Sequence, residues 1–130
     1  MSKEMDRAVE LRSRTDIHYN CAQTVLCAFA DTLGMTEEEA FKLGAHFGGG
    51  MKMGATCGVI TSGLMILGMA GKGDTAVAKE YVDGFRARHN NVLNCAELLR
   101  INAEKGGKRK PHCDGMVYEA VTALEKMLEE

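Results

Sequence analysis

Apolar residues recur along the chain at intervals of three and four, the spacing of one helix face. No stretch alternates with a period of two, and none reads as a hairpin turn. The pattern predicts an all-α fold: a compact bundle of about six or seven helices around a buried central helix. No linker divides the chain, so residues 1–130 are expected to form a single domain.

Met5, Val9 and Leu11 mark a short first helix that ends before Thr15. Asn20-Cys21-Ala22-Gln23 carries the signature of a helix start, with Asn20 capping and Gln23 able to reach back. That helix carries Val25, Leu26, Phe29 and Leu33 and stops at Gly34. Thr36-Glu37-Glu38-Glu39 is a second capping box. The helix it opens is expected to turn Ala40, Phe41, Leu43 and Phe47 inward and to end at Gly48-Gly49-Gly50. Thr56 is the expected cap of the central helix, which Gly71 closes. Asp74 starts the next helix, and Asn94-Cys95-Ala96-Glu97 repeats the earlier start signal. A final amphipathic helix is expected from about Cys113 through Leu128; its apolar face suits either the core or a homodimer interface.

Composition narrows the class. Hydrophobic residues make up 45% and charged residues 26% of 130, an ordinary water-soluble balance. Aromatics are scarce, and nine methionines stand in as adaptable packing residues. The net charge of -2 argues against nucleic acid or an anionic membrane as partner. The one basic cluster, Lys105 to Lys110, is short and glycine-broken, and reads as a solvated loop. The N-terminal stretch has no apolar core region of a secretory signal. The apolar run from Cys57 to Gly71 is about 15 residues, short of the ~20 that span a bilayer. A cytoplasmic location is expected, where five cysteines point to redox or metal chemistry rather than static disulfides.

The placing of those cysteines is informative. Cys21, Cys57 and Cys95 each follow a probable cap residue, and Cys113 follows Pro111-His112 at another expected helix start. Free amides and the helix dipole favour negative charge there, so a thiol gives up its proton more readily. Cys27 lies mid-helix on another face and reads as a small core residue. His112 adjoins Cys113, His46 precedes the glycine turn and His18 comes shortly before Cys21; each reads more simply as a surface or capping residue than as a site residue. His89 suits a helix end. Met51, Met53, Met65 and Met69 offer sulfur to a soft metal, although helical spacing places Met65 and Met69 in the core. The stretch GGMKMGAT lacks the Lys that a phosphate loop needs before Ser/Thr, so its glycines are read as a turn that brings Cys57 into the site.

Asn20-Cys21-Ala22-Gln23, Phe47-Gly48-Gly49-Gly50-Met51, Cys57-Gly58 with Leu64-Met65-Ile66-Leu67-Gly68, Asn94-Cys95 and Cys113 together resemble the C_GCAxxG_C_C family of redox-active proteins. The resemblance runs over nearly the whole chain. It implies a functional set of four cysteines, Cys21, Cys57, Cys95 and Cys113, and leaves Cys27 outside. Val59 and Ser62 depart from the family's usual Ala and Gly, changes that bear on packing more than on the thiol. The resemblance also implies a transporter-linked context without naming a partner. The chain is similar as well to the domain of split-Soret cytochromes, but it has no Cys-x-x-Cys-His for haem attachment.

Three functions compete at this level. The first is thiol–disulfide exchange, with Cys57 expected as a reactive member and an unknown redox partner. The second is a metal module, in which the same four cysteines hold zinc or an iron–sulfur cluster. The third is an interaction domain with inert thiols.

Overall fold

The computed structural model describes residues 2–130. Among the described residues seven α-helices follow one another: α1 (Lys3–Ser13), α2 (Cys21–Leu33), α3 (Glu37–Leu43), α4 (Gly58–Met69), α5 (Thr75–Arg88), α6 (Cys95–Glu104) and α7 (Arg109–Glu129). Among the described residues there is no strand, and the all-α expectation holds.

The local start signals act as their chemistry dictates. Asn20 accepts from the Gln23 amide at 2.7 Å, and Gln23 Oε1 accepts from the Asn20 amide at 2.9 Å. Thr36 and Glu39 close the second capping box. Asn94 caps α6 through the Glu97 amide at 3.2 Å. Gly34 ends α2 with a left-handed φ of 74°.

Several expected boundaries move. α3 stops at Gly44 rather than Gly48, and Leu43 is left 49% exposed. Cys57, not Thr56, occupies the cap of α4. Thr56 is instead spent in an antiparallel bridge with Asn94. α7 starts at Arg109, four residues before Cys113, because Pro111 fits the first turn, where its missing N–H would have no helical partner.

The centre also differs from expectation. Every residue of α2 from Ala22 to Ala30 is buried, and α2 packs on α1, α3, α4 and α7. The alanines at 22, 28 and 30 let neighbouring helices approach from several sides. α4 packs on α2, α5 and α7 but runs out to the surface, and Met69 is 60% exposed rather than in the core. The deepest helix is therefore α2. The apolar face of α7, including Val117, Val121 and Leu124, is taken up by the core. Tyr81 of α5 donates to the Val59 carbonyl at 2.8 Å and lies over Gly63, where a side chain would collide with its ring.

Candidate functional site

Four chain segments converge at one end of the bundle. The segments before α4 and α6 run antiparallel. The Cys57 amide donates to Leu93 O at 2.9 Å, and the Cys95 amide donates to Ala55 O at 2.6 Å. This short ladder sets the starts of α4 and α6 side by side. α2 brings Cys21 against the start of α4, and α7 brings Cys113. All four thiols line one cavity of about 80 Å³, together with Arg12, Asn20, Gly49, Arg109 and His112. Cys27 is not among its walls; it is buried in the core, and burial raises its thiol to about 11.

The Cys21 sulfur lies against Gly58, beside Cys57. Hydrogen bonding between the Cys21 and Cys57 side chains is the largest influence holding Cys21 down at about 6. Burial opposes it, while the amides of Gly49 and Ala22 and the charge of Arg12 reinforce it. Cys57 is pushed in the other direction, first by the same bond and then by burial, and is only 6% exposed. Of the two, Cys21 is therefore the more readily ionised. The sequence singled out Cys57 as a reactive member; the structure puts the readily ionised thiol on Cys21, which is less enclosed and receives more N–H donors. Cys95 and Cys113 are both raised, chiefly by burial, with the Cys21 charge adding to it.

Backbone geometry explains the contact. A side chain on Gly58 would stand 2.6 Å from both the Cys21 sulfur and the Phe47 carbonyl oxygen, so only glycine lets α4 approach. Before it, Gly49, Gly50, Met51 and Lys52 take left-handed φ values of 62°, 61°, 60° and 58° in succession. Met51 and Lys52 are strained there, at about 1–2 kcal/mol each. The turn was expected to bring Cys57 into the site. Its direct contribution is to Cys21, through the Gly49 amide.

Two arginines belong to the site that the pattern of the chain did not single out. Arg12 is 8% exposed at its side chain and donates to Asp114 at 2.6 Å and to the Tyr19 carbonyl at 2.9 Å. Nothing in the local sequence distinguishes it from other helix arginines. The charge of Arg109, and then hydrogen bonding from it, opposes the burial that raises Cys113. Reading Pro111 as a first-turn proline would have drawn Arg109 out of the supposed loop and into α7. His18 and His112 line the cavity, whereas His46 is not among its walls and lies exposed. Burial, and then the charge of His89, lowers His112. His89 bonds Glu119 at 2.8 Å and stacks on Phe85. Met65 packs against the core, and Met53 and Met69 face solvent.

Among the described residues, no three His, Cys, Asp or Glu side chains are grouped so that they could hold one metal ion. The four cysteines share a cavity without forming a ligand cage.

A family model described as "Putative redox-active protein (C_GCAxxG_C_C)" matches residues 19–127. The chain belongs to that family. No curated protein and no solved structure matches it. Among the described residues, no helix is long and apolar enough to cross a membrane.

Proposed function

We propose that the protein carries out thiol–disulfide exchange in the cytoplasm, with Cys21 as attacking thiolate and Cys57 as resolving thiol. The observation that supports this is that Cys21 and Cys57 line one cavity, the Cys21 sulfur lying against the residue after Cys57, with Cys21 held low and Cys57 pushed up. The Cys21 thiolate attacks one sulfur of a substrate disulfide, forming a mixed disulfide as the first substrate thiolate leaves. Cys57 gives up its proton, and its sulfur attacks the Cys21 sulfur. The Cys21–Cys57 disulfide forms, and the second substrate thiol leaves carrying that proton. Two electrons pass from the pair to the substrate. Cys95 and Cys113, both pushed up by burial, line the same cavity.

Protein purified without oxygen and without chelator tests the reading. A thiol count, metal analysis and an absorption spectrum are taken before and after treatment with hydroxyethyl disulfide. The expected result is a colourless protein whose count falls from five thiols by two. Peptide mapping then finds the link between Cys21 and Cys57. An unchanged count, or stoichiometric zinc or iron on the cysteines, overturns it.

A further inference from the structure

We infer that the thiol cavity is built for a small disulfide bearing carboxylates, gripped by Arg109 and Lys52 while its sulfur meets Cys21; this rests on the thiol–disulfide reading above. The protein is net acidic, yet its charge is unevenly spread. Two wider clefts, of about 260 and 560 Å³, adjoin the thiol cavity and share His18 and Arg109 with it. No Asp or Glu lines any of the three. Clefts elsewhere on the molecule are lined by Glu80, Glu119 and Glu130, or by Glu37 and Glu38.

Most cations on this rim already have partners. Arg12 and Lys110 are held by Asp114, and Arg14 by Asp16. Among the described residues, Arg109 and Lys52 pair with no carboxylate. Both are exposed, and both line the cleft that leads past Gly49. Lys52 is presented from the left-handed turn, a conformation that a lysine adopts only at a cost. A planar guanidinium suits a carboxylate in two-pronged fashion, and an ammonium adds a point charge.

Size points the same way. The cavity of about 80 Å³ has room for roughly five to eight water-sized groups, by the 10–15 Å³ that one water requires. Cys57 is only 6% exposed and out of reach of a folded surface. A low-molecular-weight disulfide enters such a space. It leaves as two carboxylate thiols, with two electrons supplied by Cys21 and Cys57.

Three alkyl disulfides that differ in charge provide the test: dithiodipropionate (anionic), hydroxyethyl disulfide (neutral) and cystamine (cationic). Rate constants for oxidation of the fully reduced protein are measured near neutral pH at low salt. The expected order is anionic over neutral by about tenfold, with cystamine slowest. The readout in variants is the anionic-to-neutral ratio. It should fall at least about fivefold in Arg109→Gln and by a smaller factor in Lys52→Gln, and it should shrink as salt is raised. A ratio near one in the unaltered protein, or a ratio that neither variant moves, overturns the assignment while leaving the exchange reaction standing. Failure of all three disulfides to oxidise the pair overturns the exchange reaction and this assignment with it.

Discussion

In the exchange reaction proposed above, Cys21 is the attacking thiol because of what surrounds one sulfur atom. A thiol at about 6 is roughly nine-tenths ionised at pH 7, against about one per cent for an ordinary thiol near 9. Lowering it further would cost nucleophilicity, so a value just below neutral suits an attacking thiol. The shift is downward, so alkylation of Cys21 should rise as pH climbs through about 6 and then level off. An unperturbed thiol would keep gaining rate up to about 9. The leading cause is hydrogen bonding with Cys57, so Cys57→Ala should move the midpoint upward toward the ordinary thiol value. Iodoacetamide rates across pH, with the labelled site read by mass spectrometry, check both statements. A midpoint that stays at about 6 in Cys57→Ala would assign the shift to the Gly49 and Ala22 amides and to Arg12 instead.

The helix starts were legible because capping is local: Asn20, Thr36 and Asn94 announce themselves within four residues. Where α4 begins was not legible, because Thr56 looks like a cap until its partner Asn94 takes it into a bridge. That pairing spans many residues and leaves no local mark. The tightness at the start of α4 yields a prediction of opposite signs within one helix. Gly58→Ala should destabilise the fold by about 1–3 kcal/mol, since the new methyl meets the Cys21 sulfur and the Phe47 carbonyl. Gly68→Ala, with nothing within 4 Å of the added carbon, should instead stabilise by about 0.5–1 kcal/mol. Denaturant midpoints of the two variants, measured in reductant, decide it. Equal effects would mean that α4 does not press on Cys21.

At the scale of the whole molecule, periodicity alone predicted a bundle, and helix-start chemistry alone predicted four special cysteines. Neither could show that the four meet, because their meeting depends on how α2, α4, α6 and α7 pack. Nor could they rank the helices: α4 is the more apolar stretch, but α2 has neighbours on more sides. Convergence at one end of the bundle has a consequence for stability. A Cys21–Cys57 disulfide would join the starts of two core helices far apart in sequence. Closing a loop of that length restricts the unfolded chain and favours the native state by about 4 kcal/mol before any strain is counted. Oxidised protein should therefore unfold at a clearly higher denaturant concentration than reduced protein. Cys21→Ser should abolish the difference, while Cys95→Ser should retain it. Chemical unfolding with and without dithiothreitol measures this. A large rise on oxidation describes a pair that holds electrons loosely, because stabilising the disulfide form makes the dithiol the stronger reductant. No rise, despite a disulfide mapped between Cys21 and Cys57, would mean that closing the bond strains α2 against α4 by as much as the link gains. The pair would then be a correspondingly more oxidising couple.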